Sequence, residues 1–149
     1  MKVFHAGVLL VGPSGIGKSE ALLELVTRGH SFVADDMVLL FQKNKKLIAT
    51  ATKNLGTRLH LRDVGILDMQ KMFPVKQICK EVEIRLVIEL AHAPQDQYKW
   101  VETTRRPRRN YLAVSVPIYH ITVAPMRHLA VLIETIVRWD QAQRKKVHS

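Results

Sequence analysis

An α/β domain folded around a phosphate-binding loop is the class this sequence predicts, and three features predict it. Gly7 to Val11 is a short apolar run that ends in a glycine-rich turn. Ser19 to Arg28 then carries Ala21, Leu22, Leu25 and Val26 at helical spacing. Strand-like segments follow before a second amphipathic helix near the C-terminus. Gly29 supplies a stop for the first helix. Ser31 to Ala34 and Met37 to Phe41 read as extended segments on either side of Asp35-Asp36, and Gln42 to Lys46 as a polar turn before a return strand, Leu47 to Thr52. Val82 to Leu90 alternates, with Val82, Ile84, Leu86, Ile88 and Leu90 expected on one face and a partly polar second face. Tyr111 to Ile118 and His120 to Val123 read as further strands interrupted by Pro117. From Met126, the stripe Leu129, Leu132, Ile133, Ile136 and Val137 reads as a helix, with Arg144-Lys145-Lys146 where cations suit its C-terminus.

Residues 1–149 read as a single domain, because no repeat, low-complexity tract or linker divides them. A 47% hydrophobic and 24% charged composition excludes disorder as the main state. The longest apolar stretches, such as Val8-Leu9-Leu10-Val11, fall far short of the ~20 residues a bilayer span needs. That run flows into the glycine turn rather than into a secretory cleavage site, so a cytoplasmic protein without a membrane partner is expected. Cys79 is the only cysteine, which excludes an intramolecular disulfide. The seven histidines show no zinc-site spacing.

With 23 Lys+Arg against 13 Asp+Glu, the net charge is +10. Such a field attracts phosphates, nucleic acid, acidic proteins or anionic lipid without choosing among them. The densest segment, Arg105-Arg106-Pro107-Arg108-Arg109, reads as a basic loop. Its nearest aromatics are Trp100 and Tyr111, too few for a stacking surface, and nucleic acid is not the expected partner.

The turn itself, Gly12-Pro13-Ser14-Gly15-Ile16-Gly17-Lys18-Ser19, satisfies G-x-x-x-x-G-K-[ST] between the strand and the helix that the motif requires. Its glycines let backbone N–H groups converge on phosphate oxygens at a helix N-terminus. Lys18 would neutralise the outer phosphates, and the Ser19 hydroxyl would join Mg²⁺. Asp35-Asp36 lies close downstream. One carboxylate can bind the metal while the other accepts a proton from an attacking hydroxyl.

The order and spacing of Gly7–Glu20, Leu22, Glu24-Leu25, Arg28-Gly29-His30 and Val33-Ala34-Asp35-Asp36 resemble the catalytic domain of the HPr kinase/phosphorylase family. Leu59-His60-Leu61-Arg62-Asp63-Val64-Gly65-Ile66-Leu67-Asp68 is similar to a second family block, and Val116-Pro117, Ile121-Thr122-Val123 and Arg127–Glu134 to the end of that domain. The resemblance implies a phosphoenolpyruvate carboxykinase-like fold with a mixed sheet, in a compact form without the family's N-terminal domain, and a homo-oligomer, often a hexamer. It implies phosphorylation of a serine on HPr, a carrier protein of the bacterial phosphotransferase system, from ATP or pyrophosphate with Mg²⁺, and removal of that group by inorganic phosphate. Lys18 would bind donor phosphates and Ser19 the metal. Asp36 would be base in one direction and acid in the other, with Arg62 and Arg127 matching family arginines.

Four positions depart from the family pattern. His60 stands where the family has a metal-binding glutamate, which would weaken metal retention or move the metal to Asp35, and Asp63-Val64-Gly65 stands for Gly-x-Gly. Lys99 falls near a family arginine, and Pro13 replaces a common aspartate. A family histidine upstream of the phosphate loop has no clear counterpart, His5 being its only candidate. The departures at His60 and Asp63 motivate a second reading, a nucleotide-binding sensor or interaction module with little kinase activity; a P-loop kinase for a small metabolite is a third.

Overall fold

The computed structural model describes residues 1–92 and 106–148. Among the described residues, nine strands and three α-helices run in the order β1 (Lys2–Val3), β2 (Ala6–Val11), α1 (Lys18–Thr27), β3 (Val38–Lys43), β4 (Lys46–Ala51), β5 (Arg58–Leu61), β6 (Gly65–Asp68), α2 (Met69–Met72), β7 (Glu81–His92), β8 (Arg108–Tyr111), β9 (Val114–Val123) and α3 (Leu129–Val147). Seven strands form one mixed sheet, and β5–β6 stands apart as a hairpin. β7 is central: Val87, Ile88 and Glu89 pair in parallel with Leu9, Leu10 and Val11 on one side and with Ile118, Tyr119 and His120 on the other. The first residues of β7 pair antiparallel with β4.

The register of β2 against β7 breaks between Gly7↔Ile84 and Val8↔Leu86, so Arg85 is an inserted residue. One extra residue turns every later side chain to the opposite face. Val82 and Ile84 therefore pack in one core cluster with Val87, whereas Leu86, Ile88 and Leu90 pack in another with α1 and α3. This corrects the expectation of a single apolar face. β7 is buried on both sides, and each fully buried aliphatic side chain contributes about 1.5–3 kcal/mol. Gly7 is what lets the bulge form, because a Cβ there would lie 2.1 Å from the Glu83 carbonyl oxygen. The Arg85 carbonyl accepts a hydrogen bond from Arg144 Nη2 of α3 at 2.8 Å.

Further expectations need correction. Ser31 to Ala34 forms no strand; only two isolated bridges hold it, Lys2 with Ser31 and Phe32 with Ile78. Pro117 does not interrupt its strand. The Ile118 N–H points to the Pro107 carbonyl, so the imide nitrogen of Pro117 faces the side where β7 begins to pair only at Ile118. The second helix starts at Leu129, three residues after Met126. Arg108 and Arg109 belong to β8, so the basic segment is no loop at that end.

Those arginines are engaged. Arg106 pairs with Asp140 at 2.8 Å, Arg109 with Glu89 at 3.0 Å, and Arg108 donates to Ser115. Asp140, 1% exposed, also accepts from the Tyr119 hydroxyl and from Arg144. Burial, aided by the adjacent Asp140 carboxylate, pushes the Tyr119 hydroxyl above its ordinary pKa. Arg105, Lys99 and Trp100 lie outside the described residues. His5 sits with Phe4 at the β1–β2 turn, docked on α3 through Gln141 and Arg138. No helix among the described residues is long and apolar enough to cross a membrane.

Candidate functional site

The parallel trio β2, β7 and β9 fixes where the site lies. Val11 pairs with Glu89 and Glu89 with His120, so the loop after β2 and the turn after β9 leave the sheet at the same edge. The phosphate loop, residues 12–19, joins β2 to α1. Ile16 anchors it: its side chain is buried in the core beneath, 5% exposed, so only its backbone is offered to a ligand. Gly17 precedes the helix with φ +109°, a left-handed conformation that a Cβ would oppose. Lys18 Nζ donates to the carbonyls of Gly12 (2.7 Å) and Pro13 (2.9 Å), which closes the loop on itself.

Asp35 and Asp36 are adjacent in sequence but serve opposite sides. Asp35 is buried, 7% exposed. Its carboxylate accepts from the Ser19 hydroxyl, 3.1 Å from Oδ1 and 3.2 Å from Oδ2, and from the backbone N–H of His60 at 3.0 Å. Asp36 takes φ +49°, a left-handed conformation tolerated by aspartate, and is exposed. That reversal carries its carboxylate into an open cleft with Ser14, Gly15, Lys18, Ser19 and Glu20 on one wall and His60, Arg62 and Asp63 on the other.

The opposite wall is the β5–β6 hairpin. Leu59 is fully buried and anchors it, so Arg58 and His60 fall on the exposed face. Arg62 reaches over the loop, its Nη2 3.3 Å from where a Cβ on Gly15 would be. His60 meets Asp35 through its backbone, a contact any residue but proline could make.

The cleft therefore gathers Ser14, Gly15, Gly17, Lys18, Ser19, Asp36, His60 and Arg62 from three separate stretches of sequence. Gly12 and Pro13 contribute the carbonyls that hold Lys18, and Asp35 lies beneath Ser19. Arg127 is not among the lining residues; its Nη1 donates to the Thr122 carbonyl at 3.0 Å. Its turn nonetheless borders the loop, since Leu129 Cδ1 would be 3.8 Å from a Cβ on Gly17. Glu20 and Asp63 line this cleft as well, and Arg58 borders a neighbouring cleft that Asp36 and His60 also line. The alternation Arg58-Leu59-His60-Leu61 is the signal that points Arg58 toward Asp36.

Chemically, the cleft offers cations and a helix N-terminus to an anionic chain of phosphates. The Ser19 hydroxyl and Asp35 carboxylate are hard oxygen donors in mutual reach, which fits a Mg²⁺ ion completed by phosphate oxygens and water. No cluster of three or more His, Cys, Asp or Glu among the described residues would hold a metal without such help. Asp36 is an exposed carboxylate facing the same cleft, placed for proton transfer.

Known proteins match this chain in sequence and fold. The family model of the HPr Serine kinase C-terminal domain matches residues 1–149. The HPr kinase/phosphorylase of Chlorobium phaeobacteroides is 34% identical over 137 residues, 90% of this chain and 42% of that protein. That of Caldanaerobacter subterraneus subsp. tengcongensis is 39% identical over 133 residues, 89% and 44% of the two chains. This chain thus spans less than half the length of these curated relatives. The solved Hpr(Ser) kinase/phosphatase from Coxiella burnetii superposes with a TM-score of 0.88 at 30% identity, covering 99% of this chain and 90% of that one. With the family model matched over residues 1–149 and the fold shared with that solved structure, the chain belongs to the HPr Serine kinase C-terminal domain family.

Proposed function

We propose that this chain is a catalytic domain, acting as one unit, that phosphorylates a serine of HPr using ATP, or pyrophosphate, and removes the group with inorganic phosphate. The observation that carries the reading is the division of labour between Asp35, buried on Ser19, and Asp36, turned into the cleft beside Lys18 and Arg62. Lys18, Arg62 and the backbone of residues 12–19 bind and orient the phosphates. Ser19 and Asp35 hold Mg²⁺, whose contribution when bound is charge neutralisation on the phosphate oxygens. The Asp36 carboxylate takes the serine proton as the serine oxygen bonds to phosphorus and the bond to the bridging oxygen breaks, releasing ADP. In reverse, an oxygen of inorganic phosphate bonds to the phosphorus of phosphoserine, the bond from phosphorus to the serine oxygen breaks with Asp36 returning the proton to that oxygen, and pyrophosphate is the product. Arg127 acts in this second direction. A hexameric assembly, which rests on the family resemblance, and a cytoplasmic location, which rests on the sequence, belong to the same reading.

The test is intact-mass spectrometry of HPr from the source organism after incubation with the protein, Mg²⁺ and ATP, followed by excess phosphate. A single phosphoryl addition that phosphate reverses is the expected result. No addition despite ATP binding would favour a nucleotide sensor, and turnover of a small hydroxyl compound in place of HPr a metabolite kinase.

A further inference from the structure

Asp36 borders the phosphate-loop cleft and also a second cleft beside Arg58. The second is bounded by Asp35, Leu55, Arg58, His60 and Ile66. We propose that Arg58 is an acceptor-side specificity residue whose guanidinium receives an acidic side chain of the protein that presents its hydroxyl to Asp36. The inference rests on the phosphotransfer reading above and adds to it the recognition of the acceptor.

The argument begins with an unanswered charge. In the β5–β6 register Arg58 stands opposite Asp68, the neighbour with which a cross-strand ion pair would be expected. Asp68 Oδ1 accepts from Thr57 Oγ1 at 2.9 Å and from the Gln70 N–H at 3.1 Å, capping α2, and its carboxylate makes no ion pair with Arg58. Arg58 is left without an ion pair among the described residues. Arg28, Arg106, Arg109 and Arg144, by contrast, each have a carboxylate within 3.0 Å. An exposed guanidinium that makes no ion pair with the carboxylate across the hairpin is available to a partner from outside.

Its position narrows what that partner is. The donor phosphates are served on the loop side by Lys18, Arg62 and Ser19. A group arriving from the Arg58 side reaches Asp36 without crossing the loop. Leu55 and Ile66, the latter 70% exposed, give this cleft apolar walls. Such walls suit a folded protein segment better than a hydrated phosphate. The planar fork of arginine matches a carboxylate, and the +10 net charge favours an acidic acceptor at longer range.

Initial rates of transfer to HPr at saturating Mg-ATP, at low and at physiological salt, test the assignment with Arg58→Glu and Arg58→Lys. Arg58→Glu is expected to raise the HPr KM about tenfold, with kcat and the ATP KM changed less than about twofold. Arg58→Lys should recover most of the loss, and salt should raise the HPr KM of the unaltered protein more steeply than that of Arg58→Glu. The KM for phosphate in the reverse direction should not move. An unchanged HPr KM in Arg58→Glu, or a change confined to the phosphate KM, overturns the assignment and leaves the phosphotransfer reading intact. Absence of transfer by the unaltered protein overturns both.

Discussion

The Ser19 hydroxyl sits between the two carboxylate oxygens of Asp35, 3.1 Å from one and 3.2 Å from the other. One hydroxyl proton is shared between both oxygens, and the His60 N–H occupies a further lone pair. Asp35→Ala would leave two donors in a largely buried site without an acceptor, at a cost of about 1–3 kcal/mol. It would also remove a hard oxygen beside the phosphates. Urea unfolding should show the stability loss, and ATP titrations should lose their dependence on Mg²⁺. An unaltered Mg²⁺ dependence would exclude Asp35 from the metal's coordination.

Asp36 separates chemistry from stability. Asp36→Asn should preserve ATP affinity while phosphoryl transfer falls ~10²–10⁴-fold, the usual effect of losing a general base. Asp36→Gly removes the same carboxylate but suits φ +49° better, so it should leave the fold as stable or raise stability by up to about 1 kcal/mol. Rate and unfolding measurements on both variants test this. Full activity in either one sinks the base assignment, and marked destabilisation of the glycine variant would mean that the Asp36 side chain supports the fold.

Lys18 has two roles in the loop, a cation for phosphates and a clamp on the Gly12 and Pro13 carbonyls. Lys18→Ala should therefore weaken ATP binding at least about tenfold and slow transfer, since charge-assisted contacts to phosphate are lost together with the loop's closure. Calorimetric titration with ATP is the check, and an unchanged affinity would count against a working phosphate loop.

How much of this could be read in advance depended on whether the signal was local. The strand, glycine turn and helix around residues 7–28 are consecutive in sequence, and α3 carries its stripe over 19 residues, so both were legible. The aspartate pair was visible too, but not its division, which depends on the left-handed φ of Asp36. The β5–β6 hairpin was not read as strands. It is only four residues a side, and its turn places Asp63 at φ +66°. Two-residue turns at Phe4-His5 and Leu112-Ala113 take left-handed conformations without the Asn, Asp or Gly that such turns favour, and Asn44-Lys45 has only the favoured Asn. The face reversal at Arg85 arises from pairing with a strand some 75 residues away in sequence, information that no window on β7 contains.

Glu134 ties α1 to α3 and sets a pH dependence. Arg28 donates to it twice, at 2.9 and 2.6 Å, and His30 Nε2 lies 2.7 Å away. The Arg28 hydrogen bond above all, opposed by burial and assisted by His30, lowers the Glu134 carboxyl from 4.5 to about 2. A pKa depressed by folding means that the ionised carboxylate stabilises the folded state. That contribution is complete above pH 4.5 and is lost as pH falls through about 2. Thermal unfolding of the unaltered protein and of Glu134→Gln should therefore differ most at neutral pH and converge toward pH 2. A constant difference across that window would deny the linkage.

Gly7→Ala tests the bulge on which both cores depend. A Cβ at Gly7 would lie 2.1 Å from the Glu83 carbonyl oxygen, 2.7 Å from its carbon and 3.0 Å from Val82 Cγ2. Two of these atoms are backbone in the central strand, so no rotamer change relieves the contact, and β2 must separate from β7 where the register breaks. The separation would loosen Val82 and Ile84 in one cluster and Val8 and Leu86 in the other at once. Overpacking of flexible side chains costs ~1–3 kcal/mol, so a backbone clash at this junction should exceed about 3 kcal/mol by urea unfolding. A smaller loss would mean that the two strands do not approach this closely. A large loss with ATP affinity preserved in the remaining folded fraction would show that the bulge supports the sheet without shaping the phosphate loop at its far end.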